Sequence, residues 1–162
     1  MKKLLILLFS ILISFNSWGE TICVETDTQV RDGIIYLTTS DGVEPFTGKD
    51  VCKYENGQKK AEVNFKDGKQ DGKLTEWHEN GQISAEATYK DGKKHGKVTW
   101  WYENGQINGE ATYKDGKVDG VYNSWHENGQ KKVETYFKDG KYTKWTEWRK
   151  NGKKKWNCWG LC

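Results

Sequence analysis

The sequence predicts an all-β fold, an extended antiparallel meander of stacked two-stranded repeats of about 24 residues each. Three observations predict it. The string ENGQ stands at Glu55–Gln58, Glu79–Gln82, Glu103–Gln106 and Glu127–Gln130, a period of 24 residues. FKDGK or YKDGK keeps the same step, starting at Phe65, Tyr89, Tyr113 and Phe137. Between the two markers apolar and polar residues alternate. In "ISAEATY", Ile83, Ala85, Ala87 and Tyr89 take one face and Ser84, Glu86 and Thr88 the other, the two-residue period of a strand. Helix is excluded by the lack of a 3.6-residue period and by glycines that interrupt every dozen residues or so.

Taken in order, the chain opens with Lys2 and Lys3, an apolar run from Leu4 to Ile13, and the small residues Ser17 and Gly19. This reads as a secretory signal peptide over residues 1–19, and the apolar run falls short of the roughly 20 residues of a spanning helix. Export to the periplasm or the medium follows. Ile22 precedes Cys23, where lipid attachment requires a small residue. Residues 20–52 form an N-terminal cap with a degenerate first repeat, in which "FTGKDVCKYENG" sets Gly48 one period before Gly72. The repeats proper occupy 53–152, and 153–162 is an aromatic, cysteine-containing tail. A third marker, the DG, HG, DG series at Asp71, His95 and Asp119, also keeps the period, and the returning strands are expected to start near Lys73, Lys97 and Val121.

Without Lys2 and Lys3, 24 cations face 23 acids, a formal charge of +1. That balance lacks the basic stripe that nucleic acid requires. Interspersed signs mark solvated strand faces. Four cysteines, Cys23, Cys52, Cys158 and Cys162, form an even set that an exported chain uses for disulfides. Three pairings are open. The local ones, Cys23 with Cys52 and Cys158 with Cys162, staple the two ends of the array, and no CxxC spacing or neighbouring histidine points to redox or metal work.

Trp77, Trp101 and Trp125 recur at one repeat position, and Trp148 follows. Two strands per unit, each about 4.8 Å apart, put successive tryptophans about 10 Å from each other, beyond ring stacking. Their face depends on the Asn-Gly loop. A two-residue turn pairs His78 with Ile83 and sends Trp77 to the side of Ser84 and Glu86; a three-residue loop with a bulge at Gly81 sets Trp77 against Ile83. The second register is the one expected, since large aromatics are the main burial available to so polar a sheet, and it makes the tryptophans a packed side, with Ala85, Ala87, Gly109 and Ala111 filling the gaps. The first leaves an aromatic stripe, with Tyr102 among its candidate members, able to hold sugar rings or quaternary ammonium groups.

"YENGQ", "FKDGKQDG", "TEWHENGQ" and "EPFTGK" carry a resemblance. From about Arg31 to Gly152 the chain resembles the bacterial variant of the MORN repeat (membrane occupation and recognition nexus), and it looks most like the subset labelled YwqK-type toxin-antitoxin system antitoxins. The resemblance implies a hairpin scaffold, and the label implies an antitoxin or immunity role.

Catalysis has little support in the residues. His78 and His126 share a repeat position two units apart, nearly 20 Å, too far to share zinc. Glu79, Glu103 and Glu127 recur at a spacing that only grazes the 5–9.5 Å of glycosidase carboxylate pairs. An active site needs unlike groups converging, and the chain shows no GxSxG, HExxH or phosphate loop. The expectation is a non-enzymatic protein-interaction scaffold with no cofactor and no metal. The alternatives are an antitoxin or immunity protein and a binder of envelope glycan or choline. A membrane contact at Lys153–Lys155 and "WNCWGLC" is the weakest partner reading, the tail serving more simply to cover the last strand.

Overall fold

The computed structural model describes residues 28–155, and all regular structure among them is strand. Thr28–Arg31 (β1), Ile34–Thr39 (β2) and Gly42–Pro45 (β3) form a small antiparallel sheet. Gly48–Lys53 (β4), Lys59–Lys66 (β5), Lys69–Trp77 (β6), Ile83–Lys90 (β7), Lys93–Lys94 (β8), Gly96–Trp101 (β9), Ile107–Lys114 (β10), Lys117–Val118 (β11), Gly120–Trp125 (β12), Lys131–Lys138 (β13) and Lys141–Glu147 (β14) form a second sheet of 11 strands. Its path runs β4-β5-β6-β7-β9-β10-β12-β13-β14, with β8 on β7 and β11 on β10. Each strand pairs antiparallel with its neighbour, so the all-β meander read from the sequence is the architecture.

The two markers build different turns. Asp67, Asp91, Asp115 and Asp139 hold φ near +50°, and the glycines that follow hold φ of 76–82°. Two consecutive positive φ values make a two-residue turn whose twist matches paired strands. Each glycine also donates its N–H to the preceding unit: Gly92 to Gln70 O at 2.8 Å, Gly116 to Lys94 O at 2.9 Å, Gly140 to Val118 O at 3.1 Å. In the Asn-Gly loops only the glycine is left-handed. His78 N–H donates to Gln82 O at 2.8 Å and Gly81 N–H to His78 O at 2.9 Å, a three-residue loop closed by a glycine bulge.

That loop sets Trp77 opposite Ile83, but a second bulge follows at once, because Ala85, not Ser84, pairs with Glu76. One extra residue reverses the alternation. Ile83 is thereby separated from Ala85, Ala87 and Tyr89, and Trp77 shares its face with Thr75 and Glu86. The expectation that the alanines fill gaps between tryptophans is corrected, and the same slip recurs where Trp101 meets Ile107 and Trp125 meets Lys131.

The third marker is a bulge inside the returning strand, where Gly72, Gly96 and Gly120 hold φ of 102°, 84° and 106°. The returning strands begin directly after the Asp-Gly turns, at Lys69, Lys93 and Lys117, earlier than the sequence suggested.

Val63, Leu74, Ala87, Val98 and Ala111 form one transverse row of the packed face, with Phe65, Tyr89, Tyr113 and Phe137 beside it. The small sheet covers the start of this face: Ile35 is buried in its core, and the Phe46 ring lies 5.8 Å from that of Phe65. Full burial of such side chains contributes about 1.5–3 kcal/mol each. Cover fades toward the other end, where Tyr142 is 64% and Trp145 39% exposed. The opposite face carries Glu62, Glu86, Glu110 and Glu134 in a row. Lys49 pairs with Glu62 at 2.7 Å, Lys73 with Glu86 at 2.6 Å, Lys97 with Glu110 at 2.5 Å, and Lys131 with Glu134. Solvated pairs of this kind contribute about 0–1 kcal/mol each.

Candidate functional site

Each tryptophan of the ladder closes a strand just before an Asn-Gly loop, and its backbone carbonyl is held by the preceding unit. Tyr54 Oη donates to Trp77 O at 2.6 Å and Tyr102 Oη to Trp125 O at 2.8 Å. His78 Nε2 stands 3.0 Å from Trp101 O and His126 Nε2 3.1 Å from Trp148 O. A carbonyl only accepts, so each imidazole carries its proton on Nε2. Tyrosine and histidine alternate because each offers a ring with one outward donor. Burial, aided by nearby Glu79, pushes the Tyr54 hydroxyl above its ordinary pKa, and burial does the same for Tyr102.

The asparagine one turn further on is used at both ends. Asn80 Oδ1 accepts from Gln82 N–H at 2.9 Å while its Nδ2 donates to Glu103 O of the next loop at 2.8 Å. Asn104 and Asn128 repeat this, reaching Glu127 O at 3.4 Å and Lys150 O at 2.8 Å. Gln82 in turn lies against the next glycine, where a Cβ on Gly105 would sit 2.9 Å from its Oε1. The ENGQ string is thus the unit of loop-to-loop stacking.

The tryptophan side chains lie on the glutamate face, half-buried. Lys59, bonded to Glu62, stands over the Trp77 ring at 5.5 Å, and Lys131, bonded to Glu134, over Trp148 at 5.4 Å. Cation–ring contacts at exposed sites contribute about 0.5–1 kcal/mol. In the two intervening units the lysine position is taken by Ile83 and Ile107, each 38% exposed. The result is an apolar stripe along one margin of the sheet, with Trp77, Trp101 and Trp125 interleaved with isoleucines. Of the sequence candidates, the structure places these three tryptophans and Trp148 on one face, and gives the Tyr102 ring the task of tying one unit to the next. Sequence reasoning missed Ile83 and Ile107 as stripe members, since plain alternation assigned Ile83 to the alanine face. It also missed the carbonyl ladder, whose signal was the shared position of Tyr54, His78, Tyr102 and His126.

Cys52 is buried, whereas Cys23, Cys158, Cys162 and residues 1–19, the expected signal peptide, lie outside the described residues. Among the described residues no group of three His, Cys, Asp or Glu side chains is placed to hold a metal ion.

A search of curated proteins returned no match. The MORN repeat variant family model matches residues 51–67, 70–91, 94–115 and 118–139, about half of the chain. Each full segment begins in a returning strand and ends at an Asp-Gly turn, so the family's unit coincides with the structural one. On these segments, the chain belongs to the MORN repeat variant family.

Proposed function

We propose that the chain is an exported, non-enzymatic scaffold that binds a protein partner through the tryptophan–isoleucine margin. The observation that supports this most is the periodic, half-exposed apolar stripe of Trp77, Ile83, Trp101, Ile107 and Trp125 on an otherwise charged face. Like positions recurring at fixed intervals suit an extended macromolecular contact. Ile83→Lys with Ile107→Lys puts charge on the stripe without touching the core. Affinity capture from periplasm and medium should recover a partner on the parent protein that the double variant loses. Equal capture by both, or none, overturns the reading. The same margin is the one on which an envelope glycan or choline would be held, and loss of a bound saccharide in the same variant would identify that ligand instead. The antitoxin or immunity reading rests on the resemblance of the repeats; a gene for an exported toxin beside this one supports it, and the lack of one removes it. Pairing of Cys23 with Cys52 and of Cys158 with Cys162 completes the proposal, checked by peptide mapping without reduction.

A further inference from the structure

The packed face ends differently on its two sides. At its start the small sheet lies over Val63 and Phe65, with Ile35 and Phe46 against them. Three periods later Thr135 holds the place of Val63 and Phe137 that of Phe65, paired with Trp145 and Tyr142 of β14. Here the face opens as a cavity of about 640 Å³ lined by Thr135, Phe137, Tyr142, Thr143, Lys144 and Trp145. Tyr142 is 64% and Trp145 39% exposed, so both rings stand in water at its mouth. Aromatic surface of this size is a large reserve of burial for a second surface to use.

The two ends also differ in charge. Between Lys138 and Lys155 eight cations face two acids, Asp139 and Glu147, and Lys155 already pairs with Glu147. Between Thr28 and Thr47 the balance is reversed: Asp32, Asp41 and Glu44 face Arg31, which is held to Gln29 and over the Tyr36 ring. A symmetric contact between two cavity ends would set like charges together, which costs affinity. An acidic surface with an apolar tip fits, and the β2–β3 hairpin is one. Near its turn Val43 is 44% exposed, with Asp41 on the turn itself and Glu44 beside it. The pairing of Thr38 with Val43 and of Tyr36 with Pro45 sets Tyr36, Val43 and Pro45 on the face turned away from Ile35. Within one chain the hairpin does not reach the cavity. Six strand spacings, about 29 Å, separate β5, which the small sheet covers, from β13, whereas Val43 lies about 10 Å of extended chain from Phe46.

We infer that the cavity at β13 and β14 receives the β2–β3 hairpin tip of a second copy, with Val43 among Phe137, Tyr142 and Trp145, and with Asp41 and Glu44 against Lys141 and Lys144. The contact is head to tail. Each copy keeps one free end, so it extends into a string of copies unless the rotation between neighbours closes a ring. The cavity lies on the opposite face from the tryptophan stripe, so the contact stands or falls independently of the proposed protein partner.

The test is sedimentation velocity of the full mature chain over a rising concentration series. The average mass should climb above that of one copy and fall back as salt is added, because salt screens the charged rim. Asp41→Lys with Glu44→Lys in one variant, and Lys141→Glu with Lys144→Glu in another, should each weaken self-association at least tenfold. Mixed in equal amounts, the two variants present opposite charges at both kinds of contact. Their mixture should associate to within a few-fold of the parent, which a variant that had failed to fold could not do. A parent that stays a single copy at every concentration up to millimolar overturns the inference, whether residues 156–162 cover the cavity or nothing does. So does an Asp41→Lys, Glu44→Lys variant that associates like the parent, which marks a symmetric contact between cavity ends, or a mixture that fails to associate.

Discussion

Asn80→Asp is the sharpest probe of how the units are joined. Aspartate keeps the oxygen that accepts from Gln82 N–H, so the local loop is retained. It loses the Nδ2 donor that reaches Glu103 O at 2.8 Å and sets a carboxylate oxygen against that carbonyl. A neutral hydrogen bond contributes about 0.5–1.5 kcal/mol net, so the expected cost is about 1–1.5 kcal/mol, or about 3–5 °C per kcal/mol in Tm for a domain of this size. The fold supplies its own controls. Asn128 makes the same bond at 2.8 Å, Asn104 a longer one at 3.4 Å, and Asn56 only the local contact with Gln58 N–H at 2.9 Å. Costs should rank Asn80→Asp and Asn128→Asp above Asn104→Asp, with Asn56→Asp smallest, because it adds charge without breaking a link between units. Urea unfolding followed by circular dichroism at 0.5 M salt, which screens the added charge, measures each cost. If Asn56→Asp costs as much as Asn80→Asp, the stacking role assigned to the amide nitrogen is wrong.

Other expectations follow from the same coordinates. Glu76→Gln should raise stability near pH 7 by roughly 1 kcal/mol, since burial penalises the ionised form. The gain should fade as the pH falls through the ordinary carboxylate range and be gone well below pH 4, where the parent carboxyl is neutral in both folded and unfolded chains, and a pH-independent gain would contradict this. Gly68→Ala should cost more than 3 kcal/mol, because its Cβ would fall 2.3 Å from Ile34 Cγ2 and 2.5 Å from Ile35 O at a φ of +76°. Gly81→Ala, with φ +82° and open space around it, should cost only about 1–2 kcal/mol in the same unfolding assay. Tyr102→Phe removes the donor to Trp125 O and should cost about 1 kcal/mol, while Tyr102→His, which keeps a ring donor as in the neighbouring units, should lose much less, read as Tm.

The meander was legible because its turns are chemically marked. Asp-Gly and Asn-Gly announce reversals, and period-two stretches such as Ile83–Tyr89 announce strands. The face of the tryptophans was not legible, since it turns on whether Ser84 is paired. An unpaired residue leaves no mark in a polar stretch, and the alternation continues on paper where it breaks in space. The role of Gly72, Gly96 and Gly120 was hidden for a related reason: a glycine after Asp or His reads as a turn, and only the pairing of the flanking strands shows that the chain runs on through it. The links between units escaped because they join side chains to backbone carbonyls 22 or 23 residues away, and a carbonyl has no letter in the sequence.

Those links give the molecule an arithmetic of its own. Because one unit's asparagine and its tyrosine or histidine ask nothing of the next but a main-chain oxygen, any copy can follow any other. Removal or duplication of a whole block, such as Ile83–Gln106, rejoins identical partners and alters reach by about 10 Å. Length is therefore the property this scaffold can change most freely, and the span between its outermost contacts is set by how many blocks it holds.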